Sequence, residues 1–201
     1  MARKHKSWKQ IAFIFVLSFM IALLAVLGSK LLMKQASIWV AWILLVAIVV
    51  ISIVFDIIGI AATAATEKPH HAKAANRVFG AKQAIYLVRN ADSVANFAND
   101  IVGDVAGTLS GAMGASILLE LISFYPSLGN QEILLNTLLL AFIASITVTG
   151  KALGKSFAIN EADEIMSKVG IMIASFERVT GHSFTDKKKK GGKKCGDSRK
   201  N

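Results

Sequence analysis

Apolar residues in this chain gather into four long runs set apart by short polar breaks, and the breaks carry nearly all the charge. The pattern predicts helices over about Lys9–Met33, Ile38–Ala65, Asp92–Phe124 and Ile133–Leu153. Each run reaches the roughly 18–20 residues that cross a hydrocarbon core of about 30 Å. The second run, at about 1.5 Å per residue, is near 40 Å and must tilt or protrude. Ser37 is placed to cap it, Trp39 and Trp42 suit the outer interface belt, and Pro69 follows its end. Asn90 stands as a cap before the third run, which stops at Tyr125-Pro126.

After the fourth run the period changes. Ile159, Ala162, Ile165, Met166, Val169, Ile173, Phe176 and Val179 recur at helical spacing, with Glu161, Glu164, Lys168 and Arg178 between them. The expectation is an amphipathic helix on the inner membrane surface, capped by Asn160 and ended by Gly181. From Asp186 onward lysines dominate, and residues 182–201 read as a disordered basic tail drawn to anionic lipid.

Charge decides the orientation. The formal net charge is +10, with positives clustered in the first ten residues, in Glu67–Arg89 and in the tail. Placing those three segments inside, and the Lys30–Ala36 and Ser127–Glu132 links outside, satisfies the positive-inside rule with both termini cytoplasmic. Lys30 and Lys34 are the exceptions. Basic segments that flank spans replace the basic face of a folded domain, so nucleic acid is not an expected partner. Cys195, the sole cysteine, excludes an intramolecular disulfide. No P-loop, GxSxG, HExxH or paired CxxC motif occurs, and no enzyme is expected.

Candidate chemistry lies inside the spans. Asp100 and Asp104 are four apart, Thr108 extends their face, and Asp56 lies deep in the second run. A carboxylate near a span centre costs about 2.5–3.5 kcal/mol, so such acids call for a cation, a proton, a basic partner or water. The plainer reading puts them at a wet helix end or in a packing pair with lysine. Gly103, Gly107 and Gly111 form a small-xxx-small stripe beside the acids, suited to close helix packing in a homodimer or in the monomer core. The adjacent His70 and His71 cannot face one ligand together on a helix.

Three segments together resemble the transmembrane domain of the CNNM/CorC (CorB) magnesium and cobalt transport proteins. Phe55-Asp56-Ile57-Ile58-Gly59-Ile60-Ala61 is similar to the family's Phe-Ser-x-x-Glu-x-Ala segment. Gly80 to Asp92, followed by Asn99-Asp100-Ile101-Val102-Gly103-Asp104, resembles its loop with Asn-Pro-Asp and its Gly-Asn-x-x-x-Asn, with a one-residue gap in the helix alignment. Gly150-Lys151-Ala152-Leu153-Gly154-Lys155-Ser156-Phe157-Ala158 is similar to Gly-Glu-x-x-Pro-Lys-x-x-Ala. The resemblance covers about Ile38 to Arg178.

It implies a homodimer and a cation site in which the family's Ser becomes Asp56, its helix Asn residues become Asp100 and Asp104, and its Glu before Pro-Lys becomes Lys151. The first-segment Glu becomes Gly59. Three carboxylates suit Mg²⁺ or another hard divalent cation as transported ion, whereas an ammonium at Lys151 would compete with it. The paired CBS domains of the family do not occur in these 201 residues.

The resulting expectation is an all-α integral protein of the plasma membrane. It has an extra basic N-terminal helix (1–36), a CNNM/CorC-like domain (37–158) with an inner loop at 67–89, and a juxtamembrane helix (159–181). Its function is divalent cation transport or binding; the alternative is a non-transporting scaffold in which the acids pair with Lys151. A third reading is a membrane anchor whose basic tail recruits lipid or a partner.

Overall fold

A computed structural model describes residues 8–33 and 37–181. The basic N-terminus, Lys34 and the lysine tail with Cys195 lie outside the described residues, and so does the anionic-lipid contact expected of that tail. Helices α1 (Trp8–Met33), α2 (Ile38–Ala64), α3 (Glu67–Ala75), α4 (Ala81–Arg89) and α5 (Ala91–Ala95) lead into a π-helical segment, Asn96–Gly103. Then come α6 (Asp104–Phe124), a 3₁₀ turn (Pro126–Gln131), α7 (Glu132–Asn160) and α8 (Ala162–Thr180). No strand occurs among the described residues.

Three stretches are long and apolar enough to cross a membrane: Ile38–Ala64, Ala91–Phe124 and Pro126–Asn160. The second is α5, the π-helical segment and α6 read as one continuous helix. Helix α1 contributes a shorter apolar stretch, Phe15–Gly28, and lies against α6. Helix α2 is central, touching α5, the π segment, α6, α7 and α8. Large apolar side chains cover its outer face, among them Trp39, Ile43, Val46 and Val50, and α7 does the same with Ile133, Leu138 and Phe142. Water disfavours so much contiguous apolar surface, and hydrocarbon accepts it.

One core cluster joins Ala41 and Leu45 of α2 to Met113 and Ile117 of α6 and Ile143 of α7. Glycine permits the approach there, since a Cβ on Gly114 would stand 2.6 Å from Ile143 Cδ1. The other cluster gathers Ala61 and Ala62 of α2, Leu87 of α4, Ala158 of α7, and Ala162 and Met166 of α8. It seats a second layer of short helices on one end of the bundle.

That layer revises one sequence expectation and fills in another. The inner connection 67–89 is built of α3 and α4, both packed in this layer. Helix α8 buries Ala162, Met166, Gly170 and Ala174, and the apolar face expected on a membrane surface meets α4 over much of its length. The approach is backbone to backbone: a Cβ on Gly170 would stand 2.6 Å from the Gly80 carbonyl oxygen. Gly80 itself has φ +81°, a conformation that favours glycine. Asn160 does not cap α8, because α7 continues through it and the chain turns at Glu161. Gly181, at φ 69°, closes α8.

Candidate functional site

The polar residues of the three long helices meet around the π-helical segment. In this geometry the turn is wider than an α-turn, and single π turns occur often at functional sites. An extra residue accommodated within a helix produces such a turn. On α2, Ser52 and Gly59 are seven apart, buried, and aimed at this segment. The Ser52 hydroxyl donates to the Gly103 carbonyl at 3.4 Å, and a Cβ on Gly59 would overlap the Asn99 carboxamide. Asn99 Oδ1 is buried there with no hydrogen-bond partner. A buried carbonyl oxygen without a donor is an acceptor available to a cation or a proton donor.

Another face of α2 meets α7. Gly154 approaches Ile57, whose Cγ1 would lie 2.7 Å from a Cβ at that position, and Gly150 approaches Ile53. At about 100° per residue, Asp56 lies roughly 40° from Ser52 and 60° from both Ile53 and Gly59. It therefore occupies the sector of α2 between the π segment and α7, and it is half-buried. Lys151 enters from α7, with its ammonium 3.5 Å from where a Gly103 Cβ would stand. Ser52, Asp56, Asn99 and Lys151 thus converge on one three-helix junction.

Asp100 and Asp104 do not join it: both are exposed on the described chain. The residues this helix turns toward α2 are instead Asn99, against Gly59, and Gly103, whose carbonyl accepts from Ser52. Thr108 shares the exposed face of Asp104, and its hydroxyl donates to the Asp104 carbonyl at 2.9 Å. Among the described residues no three His, Cys, Asp or Glu side chains gather as metal ligands. No ion pair joins Lys151 to Asp56, Asp100 or Asp104. The three acids divide into one at the junction and two on an outer face.

The glycine stripe divides as well. Gly103 is buried in the junction, whereas Cβ atoms on Gly107 and Gly111 would meet nothing within 4 Å. Close packing inside the chain uses Gly114, Gly150 and Gly154 instead. Sequence reasoning missed Ser52 and Asn99 as site residues. The available signals were the seven-residue spacing from Ser52 to Gly59 and the clustering of Asn96, Asn99 and Asp100 in one helix.

Polar contacts also fasten the second layer. Arg89 donates to Glu67 at 2.8 Å, and this bond holds the Glu67 carboxyl below its usual range and the guanidinium above its own. Gln83 of α4 donates to Glu177 of α8 at 2.6 Å. Asn90 does not cap α5; its carboxamide donates back to the Tyr86 carbonyl at 2.7 Å and closes α4. Comparison with protein-family models, with curated proteins and with solved structures returns no match.

Proposed function

We propose that this chain is a multi-pass membrane protein related to the CNNM/CorC transmembrane domain. Its α2–π–α7 junction would bind a hard divalent cation, Mg²⁺ or Co²⁺, as transported substrate. The observation that carries the reading is the buried, unpartnered Asn99 Oδ1 against Gly59, about one turn along α2 from the half-buried Asp56, at a π-helical turn inside a candidate span. Amide and carboxylate oxygens are hard ligands, and Mg²⁺ keeps part of its water shell, so a few protein oxygens suffice. Lys151 then acts as a counter-charge beside Gly103, offsetting the carboxylate at a distance and competing with the cation for the junction.

Four spans with both termini and the α3–α4–α8 layer in the cytoplasm complete the proposal, supported by the positive-inside distribution of Lys and Arg. The exposed apolar residues Met172, Phe176 and Val179 near the end of α8 would rest on the inner leaflet. A second copy would cover the open face of Asp104, Gly107, Thr108 and Gly111. Glycines permit close approach there, and burial between helices spares the carboxylates from lipid.

Calorimetric titration of the detergent-solubilised protein with Mg²⁺ and Co²⁺ tests the site. Saturable binding is expected in the wild type. It should weaken at least about tenfold in Asp56→Asn, a loss of roughly 1.4 kcal/mol, and strengthen in Lys151→Met. Asp100→Asn should bind almost as the wild type does. A folded wild type that binds neither ion would sink the proposal.

One observation favours a non-transporting scaffold instead: Lys151 occupies the junction while no metal-ligand cluster forms among the described residues. Replacing Asp56 and Lys151 together with apolar isosteres separates the readings, because the cation reading then loses its only junction carboxylate. Intact assembly and intact physiology in that variant would favour the scaffold.

A further inference from the structure

The second layer contains a buried histidine that the cation reading does not use. His70 of α3 is fully buried, at 0% exposure. Its Nδ1 lies 3.5 Å from the Ser167 hydroxyl of α8. Its Nε2 has no hydrogen-bond partner and lies 3.7 Å from Asp163 Oδ1. The surrounding groups are already committed. Ser167 donates to the Asp163 backbone carbonyl at 2.9 Å and accepts from Lys73 Nζ at 2.7 Å. Asp163 Oδ1 accepts the Thr66 backbone N–H at 2.8 Å, and so caps α3 from a different helix.

Neither neutral tautomer satisfies both ring nitrogens at these distances, and a buried ring has no water to turn to. With Nδ1–H donating to Ser167, Nε2 presents a lone pair to a carboxylate. With the proton on Nε2, Nδ1 faces a hydroxyl whose hydrogen points elsewhere. Full protonation supplies donors on both sides but places a second cation beside Lys73, on a ring that is itself fully buried. At 3.7 Å the Nε2 proton can close on Asp163 Oδ1 only if the carboxylate or α3 shifts, and that oxygen already holds the Thr66 amide. Binding a proton therefore strains the cap on α3 or leaves a buried charge poorly paired.

We propose that His70, Asp163, Ser167 and Lys73 form a proton-operated latch: neutral His70 holds α3 on α8, and protonation releases it. The groups bearing on the ring are Asp163 of α8, which favours its charged form, and Lys73 and His71 of α3, which oppose it. Lys82 and Arg89, the cations of α4, are not among the groups that act on it. Burial is the largest influence and pushes the His70 pKa below its ordinary value. The released state then binds more protons, so the latch is fully stable above about pH 6.5 and weakens as pH falls below it. The inference stands whether or not the junction binds a cation.

Hydrogen–deuterium exchange on the full chain in detergent, corrected for intrinsic exchange rates, reads the latch at Glu67–Ala75. The opening constant should rise about tenfold between pH 7.5 and 5.5, the increase expected for one proton taken up at pH 6.5. His71→Gln should keep this response, and His70→Gln should lose it. A flat wild-type profile, or an equal rise in His70→Gln, overturns the latch. Should His70→Gln fail to fold, imidazole nitrogen shifts in the labelled wild type decide: an apparent His70 pKa at or above 6.5 also overturns it.

Discussion

Single glycines in this chain do opposite things, and their surroundings tell which. At Gly170 a Cβ would press on the Gly80 carbonyl oxygen and, at 2.9 Å, on the Ala84 amide nitrogen, both of them backbone atoms that cannot rotate away. Gly170→Ala should therefore destabilise the fold by about 1–3 kcal/mol, read as a lower melting temperature in detergent. Gly107→Ala meets open space within the chain and should leave the melting temperature of the dissociated, single chain unchanged or raise it, since alanine gains up to about 1 kcal/mol of helix propensity over glycine. Sequence spacing assigned the close-packing role to Gly103, Gly107 and Gly111 because it reports only that small residues share a face. Whether another helix occupies that face is a tertiary fact. The same limit explains His70. Its neighbours in sequence, Pro69, His71 and Lys73, describe a polar loop, while the residues that bury it come from α8, nearly a hundred positions later.

At the scale of elements, hydrophobic periodicity was enough to locate the long helices. Helix α2 ends within a residue of the expected Ala65, and the third run spans Ala91–Phe124 against an expected Asp92–Phe124. Helix α7 runs seven residues further, from the expected Leu153 to Asn160, because its last turns pack on α2 and α8 rather than facing water. The π-helical segment was not legible, since its residues have ordinary helical character and its wider turn is imposed by packing. Ser52 and Gly59 dock on one part of it while α6 must reach α7 on another. Deleting one residue from it, Phe97, which is exposed, removes that accommodation. Helical content by circular dichroism should be preserved in the variant. Its melting temperature should fall, with a stability loss of about 1–3 kcal/mol, because Asn99 can no longer oppose Gly59 while α5 keeps its place on α2.

At the scale of the whole molecule, Asp104, Gly107 and Thr108 are exposed on α6 among the described residues, with Gly111 a turn further on. If a second copy covers this face, Gly107→Leu with Gly111→Leu should block self-association without unfolding the chain. The check is the sedimentation of the detergent-solubilised variant beside the wild type. A wild type that sediments as a monomer at all concentrations would refute this part of the proposal. The all-helical class and three of the four apolar runs were legible in the sequence as helices long enough to cross a membrane. The partition of acids between an inner junction and an outer face was not, because it depends on which side of one helix meets its neighbours.

The cap that Asp163 places on Thr66 has a consequence for biosynthesis. The two residues are 97 positions apart, and at about 5–20 residues per second the ribosome needs roughly 5–20 s to supply the second after the first. Throughout that interval α3 exists without its cap and His70 without its cover, while the intervening long helices are still being made. The second layer can lock only after α7 is complete. Its closure therefore marks the finished bundle, and a quality-control factor arriving earlier would meet α3 uncapped.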